Sequence, residues 1–194
     1  DSSWNSNSNS SSFNSNIKHA LNLTLDFNID SANSLKWTTR ANKKNTITSS
    51  DYFSQDITEN GDSINNSRRN STNNGNNNAI NSTLLWRHKF KKISRTLSIN
   101  NDFNWSNSLN DGYLYSLNKF YANGLLNNID TIDQQNIRNS EAKGINTKIA
   151  YTEPLAKDFY LELSHSIAYN SNTTERLTNT KTNNGKYENQ VDSL

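Results

Sequence analysis

Residues 17–29, IKHALNLTLDFNI, place Ile17, Leu21, Leu23, Leu25, Phe27 and Ile29 on one phase of a two-residue alternation, and Lys18, Asn22, Thr24, Asp26 and Asn28 on the other. Successive side chains of a strand point to opposite faces, whereas a helix repeats its apolar positions every three or four residues, so the spacing predicts a strand with one apolar face. A turn at 30–34, DSANS, leads into LKWTTRANK, where Leu35, Trp37, Thr39 and Ala41 share a phase. The pattern recurs twice. Ile80, Leu84, Trp86, His88 and Phe90 line one side of an incoming strand, KKIS at 91–94 turns the chain, and Leu97, Ile99, Phe103 and Trp105 line one side of the outgoing strand. A third pair carries Ile145, Thr147, Ile149 and Tyr151 before a turn at 155–158, and Phe159, Leu161, Leu163, Ile167 and Tyr169 after it.

The expected organisation is a polar loop or segment end at 1–16 followed by hairpins at about 17–43, 79–106 and 142–170, all within one domain over 17–194. The connecting stretches 46–78 and 107–140, rich in Asn, Ser, Gly and charge, are expected to be long loops. Short turns on one rim and long loops on the other are the signature of an outer-membrane barrel, with periplasmic turns and extracellular loops. A 13-residue alternation at 17–29 also exceeds the ~5–6 residues of a typical soluble strand and suffices for the ~9–11 that a tilted strand needs to cross hydrocarbon. The fold class is therefore expected to be all-β: a segment of an antiparallel transmembrane β-barrel built of long hairpins.

Composition at first opposes any fold. Mean hydropathy is −0.96 and hydrophobic residues make up 31% of the chain, values typical of disordered sequences. The formal net charge of +2, from 20 basic and 18 acidic residues, is too small for self-repulsion to hold the chain open, and the polarity comes mainly from Asn, Ser and Thr. A barrel removes the conflict, because its apolar phase faces lipid and its polar phase faces water, with no two-sided core. On this reading Leu21, Leu23, Leu25, Phe27, Leu97, Ile99, Phe103, Leu161, Leu163 and Ile167 face lipid; Lys18, Asn22, Thr24, Asp26, Lys148, Glu162 and Ser164 line the lumen; and Trp37, Phe90, Tyr151 and Phe159 form an interfacial girdle near the short turns.

With those strands in view, WRHKFKKISRTLSIN (86–100) resembles a hairpin of a bacterial outer-membrane β-barrel family related to TonB-dependent receptors, and TKIAYTEPLAKDFYLELSHSIAYNSN (147–172) resembles the next hairpin of that family. Together with LNLTLDFNIDSANSLKWT (21–38), the resemblance covers most of residues 17–194, through hairpin patterns and not through a catalytic signature. It implies a large barrel of which this chain holds some strands, located in the bacterial outer membrane. Its partners would be membrane lipid, a solute ligand, and the TonB system acting through plug and TonB-box segments not recognisable in this chain. A non-transporting surface adhesin, or a structural β protein with Asn-rich binding loops, is the alternative.

Candidate chemistry adds little. The chain has no Cys, which excludes disulfides and thiolate metal sites, and no apolar run long enough for a transmembrane helix. It opens on DSSWNSNSNSSSF, so any targeting signal is expected to lie outside it. His19, His88 and His165 fall on three different hairpins, without the spacing of a metal site, and on the phase assigned to lipid. Glu162, Ser164 and His165 alternate across a strand and cannot converge as a triad. Asp130, Asp133, Arg68 and Arg69 are expected to be solvated loop charges, and the dispersed basic residues argue against nucleic-acid binding. Neither an enzyme activity nor a cofactor is expected.

Overall fold

The computed structural model describes residues 4–188, and these form one antiparallel sheet with its strands in chain order. The strands are β1 (Trp4–Asn28), β2 (Asn33–Thr58), β3 (Ser63–Lys89), β4 (Thr96–Ala122), β5 (Leu125–Ala156), β6 (Phe159–Lys181) and the short β7 (Tyr187–Glu188). The sheet is not closed: β1 pairs only with β2, and β7 only with the end of β6. No apolar side chain is buried among the described residues, so no hydrophobic core lies on either side. Backbone pairing along strands of 23–32 residues holds the six long strands together.

The register resolves the alternation into two continuous faces. Phe27 stands opposite Leu35, Leu35 opposite Trp86, Trp86 opposite Ile99, and Ile99 opposite Ile149, so the apolar phase of every hairpin falls on the same face. Directly paired residues in an antiparallel sheet share a face, so the register alone dictates this.

Two expectations about loops are corrected. Residues 46–78 and 107–140 are not loops; they are strand, closed by tight turns at 59–62 and 123–124. Residues 4–16, expected to be a polar loop or segment end, form the first half of β1, paired from Trp4↔Thr58 to Asn16↔Thr46; positions 1–3 lie outside the described residues. Asn and Ser are disfavoured in strands, but here every long strand is paired along its length with at least one neighbour, and that ladder outweighs weak side-chain propensity.

Each rim has its own turn chemistry. The 29–32 turn is pinned by Asp30, whose carboxylate accepts the backbone N–H groups of Ala32 and Asn33 at 2.7 Å each and the Asn33 side-chain amide at 2.8 Å. Those three bonds, the Asn33 amide first, hold the Asp30 carboxyl below its ordinary pKa. Turns at 90–95 and 157–158 lie on the same rim. The opposite rim closes on Asn-Gly each time, at 60–61, 123–124 and 184–185. Asn123 and Gly124 have φ of 53° and 72°, the left-handed pair that a two-residue hairpin loop needs.

Candidate functional site

Rows of paired residues across the sheet reveal a belt on the apolar face. Nearest the 29–32 rim, Asn33, His88, Leu97, Tyr151 and Leu163 form one row; the next holds Phe27, Leu35, Trp86, Ile99, Ile149 and His165. Then come Leu25, Trp37, Leu84, Asn101, Thr147 and Ile167, followed by Leu23, Thr39, Ser82, Phe103, Ile145 and Tyr169. These four rows contain no Asp, Glu, Lys or Arg. On β5 the belt is bracketed by Glu153 below and Lys143 above, ten residues apart. At ~3.4 Å per residue that is ~34 Å along the strand, and a tilt of ~40° projects it to ~26 Å, close to the ~25 Å height of a barrel's apolar band.

The polar groups inside the belt are turned on one another. Thr39 Oγ1 and Trp37 Nε1 each donate to Ser82 Oγ at 2.8 Å, and Thr147 Oγ1 donates to Asn101 Oδ1 at 2.7 Å. A polar group left unpaired in an apolar medium costs several kcal/mol, so this mutual satisfaction suits a water-poor face. His165, opposite Ile149, sits on the part of β6 whose far edge is open.

Both margins of the belt are aromatic. At the lower margin Trp86 stacks on His88 with centroids 5.9 Å apart, His88 meets Phe90 edge-on at 4.5 Å, and Phe90 meets Tyr151 edge-on at 6.2 Å. The His88 ring nitrogen also bonds Asn33 Oδ1 at 2.8 Å, so this histidine belongs to a rim ladder and not to the belt interior. Phe159 begins β6 beside the 157–158 turn. Trp37 stands in the third row, opposite Leu25 and Leu84, away from the turns. At the upper margin the Trp105 indole donates to Glu141 Oε1 at 2.9 Å, and Lys143 pairs with the same carboxylate at 3.1 Å. Trp105 was visible as an apolar-phase residue, but its place at this margin depends on the register.

Below the lower margin, Glu153 gathers a charged cluster. Lys92 Nζ reaches it at 2.6 Å, Arg95 donates from Nε at 2.7 Å and Nη2 at 2.9 Å, and the Tyr151 hydroxyl donates at 2.5 Å. The bonds from Arg95, then Lys92, then Tyr151 lower the Glu153 pKa from 4.5 to about 2. A depressed folded-state pKa contributes stability that is complete above 4.5 and lost as pH falls through about 2. The Glu153→Gln protein is therefore expected to lose the part of the acid transition that wild type shows between those values, as read by denaturant titrations at pH 6, 4, 3 and 2. Identical pH dependence in the two proteins would show that the cluster does not bind the fold to pH.

The opposite face carries all the expected lumen residues. Asp26 pairs with Lys36, Lys148 with Ser166, Glu162 with Thr152, and Ser164 with Ala150, while Lys18, Asn22 and Thr24 stand opposite Lys44, Arg40 and Thr38. Charge is plentiful here at the height where the other face has none. Glu162 and Ser164 lie on this face and His165 on the other, so no triad assembles. Asp133, which accepts the Tyr187 hydroxyl at 2.7 Å and pairs with Lys181 at 3.2 Å, likewise lies on the face opposite Asp130. Among the described residues no group of three His, Cys, Asp or Glu side chains could hold a metal ion.

Beyond the belt the strands continue upward. On β3 the fourth row ends at Ser82 and the margin row at Ile80, and residues 63–79 extend past it; at ~3.3 Å each they add ~55 Å of strand. Among the described residues the expected asymmetry of loops is absent, since both rims close in short turns; what differs is that paired strand overhangs the belt on one side and turns follow it directly on the other. No protein-family model matches the chain, and no curated protein matches it.

Proposed function

We propose that this sheet is part of an outer-membrane β-barrel of the TonB-dependent-receptor-like kind, its apolar belt facing lipid, its polar face lining a water-filled lumen, and its overhang reaching outward to bind a solute for uptake. The observation that carries the reading is the belt: four rows free of formal charge across six strands, with aromatic margins and nothing apolar packed over them. A soluble protein rarely exposes apolar patches beyond a few hundred Å², whereas a lipid-facing wall must. The open edges at β1 and β6 fit a wall whose neighbouring strands complete the barrel, since an exposed edge invites aggregation. The family assignment rests on the hairpins at 86–100 and 147–172, and the location in the bacterial outer membrane follows from it.

The overhang favours a second reading, a non-transporting surface adhesin, because ~55 Å of paired strand beyond the belt offers a display surface that needs no channel.

The absence of native Cys provides the test. Single cysteines at Leu161, Glu162, Leu163 and Ser164 are spin-labelled in the protein reconstituted in bilayers, and accessibility to oxygen and to an aqueous nickel chelate is compared. Oxygen access at Leu161 and Leu163, with chelate access at Glu162 and Ser164, is the expected result. Leu sites shielded from both reagents would make the apolar face a protein interface and end the membrane reading. Solute uptake by cells that carry the protein, lost when the TonB system is disabled, separates transporter from adhesin.

A further inference from the structure

The near-neutral chain keeps its acidic residues off part of one face. Above the belt, from the row of Asn22 to the row of Ser10, the polar face carries Arg40, Lys18, Lys44, Arg69, Arg138 and Arg176 and not one Asp or Glu. Over the same height the acidic residues Asp51, Asp111, Asp133, Glu141 and Glu175 all fall on the opposite face. A net charge of +2 conceals a surface that is wholly basic.

Two pairs within that surface oppose like charge to like charge: Lys18 stands across from Lys44, and Arg138 across from Arg176. Like charges directly opposite one another destabilise an antiparallel pair, and none of these four side chains has an ion-pair partner among the described residues. Between the pairs the sheet surface is hollow. A cavity of about 500 Å³ is lined by Arg138, Arg176, Asn136 and Gly112, and an adjoining one of about 370 Å³ by Lys44, Thr46 and Gly75; Asn73 and Asn110 line both. Their floors are glycine. A Cβ added at Gly75 would lie 2.9 Å from Asn110 Oδ1 and one at Gly112 would lie 3.2 Å from Asn73 Oδ1, so the missing side chains let the Asn amides lie across the floor.

We infer that this hollow binds an anionic, hydroxyl-rich solute such as an acidic oligosaccharide. Guanidinium groups supply forked donors that match carboxylate or phosphate oxygens, and an oxyanion between Arg138 and Arg176 converts their repulsion into two charge-assisted contacts. The surrounding Asn, Ser and Thr side chains both donate and accept, as sugar hydroxyls require. An acid-free basic cleft also concentrates anions from solution ahead of contact. The inference names the solute class for the proposed uptake function and rests on that reading for its biological setting, but its chemistry concerns the polar face alone.

The test is isothermal titration calorimetry of the detergent-solubilised protein with trigalacturonate, inorganic triphosphate and the neutral sugar maltotriose. Trigalacturonate is expected to bind at least ten-fold more tightly than maltotriose, with affinity falling as salt rises. The Arg138→Gln/Arg176→Gln protein should lose ten-fold or more of that preference, and Lys143→Gln, on the other face, should not. Lys18→Gln/Lys44→Gln, at the second like-charge pair, should also weaken binding. Triphosphate binding better than trigalacturonate would support the site and identify its oxyanion as phosphate; the reverse would identify it as carboxylate. Equal binding of maltotriose, binding indifferent to both double substitutions, or binding of none of the three would overturn the inference. Lipid exposure of Leu161 and Leu163 is read separately, so failure here is distinguishable from failure of the membrane reading.

Discussion

Arginine in place of Ile167 is expected, if the apolar face meets lipid as proposed, to destabilise the protein in a bilayer by about 2–4 kcal/mol, the cost of a cationic side chain near the midplane of a barrel's lipid face. Ile167 is 67% exposed and shares its row with Leu25, Trp37 and Leu84, inside the charge-free belt. Two controls make the magnitude informative. Leu161→Arg, at the lower margin opposite Glu153, should cost only about 0–1 kcal/mol, because the penalty falls towards the interface. Ser164→Arg, three residues from Ile167 but on the polar face opposite Ala150, should stay within about 0.5 kcal/mol. Urea titrations from lipid vesicles, followed by the fluorescence of the four Trp residues, measure all three. Equal costs at Ile167 and Ser164, or a gain in lipid-free soluble yield from Ile167→Arg, would place the apolar face against water or protein.

The two faces of the belt were legible because alternation exists wherever one side must avoid water. Ile17 to Ile29 and Phe159 to Tyr169 announce their phases without any neighbour, and the register only joins them into one surface. The overhang was not legible for the complementary reason. Where both faces are polar, as from Asn65 to Ala79, nothing selects for a period of two, and the stretch has the composition of a loop although it is paired on both sides. One signal was available: Asn-Gly at 60–61 and 123–124 closes the upper hairpins. Yet Asn74 and Gly75 form the same dipeptide in mid-strand, so the signal needs flanking strands before it can be trusted. The basic hollow was further from reach. Arg138 and Arg176 are thirty-eight positions apart in a nearly neutral chain, and only the β5–β6 register shows that they oppose each other on an acid-free face.

Valine in place of Gly144 is expected to destabilise the sheet by about 1–3 kcal/mol, the usual range for side chains forced into occupied space. Gly144 is buried on the polar face, between Asn104 of β4 and Asn170 of β6. An added Cβ would meet Asn104 Oδ1, come within 3.0 Å of Asn104 Cγ, and lie 2.5 Å from Asn170 Oδ1. The backbone there is ordinary strand, so the penalty is steric and not conformational. That distinction sets the expected pattern of rescue. Removing the flanking amides with Asn104→Ala and Asn170→Ala should recover at least half of the Gly144→Val loss, a non-additivity that contacting residues show and distant ones do not. Gly185→Val should behave oppositely: no atom lies within 4 Å of its added Cβ, but its φ of 81° penalises any L side chain, and no neighbouring substitution should relieve that. A double-mutant cycle by denaturant titration checks both. If Gly144→Val is tolerated in the wild-type background, the Asn104 and Asn170 side chains swing aside at little cost, and their close approach over Gly144 does not constrain the sheet.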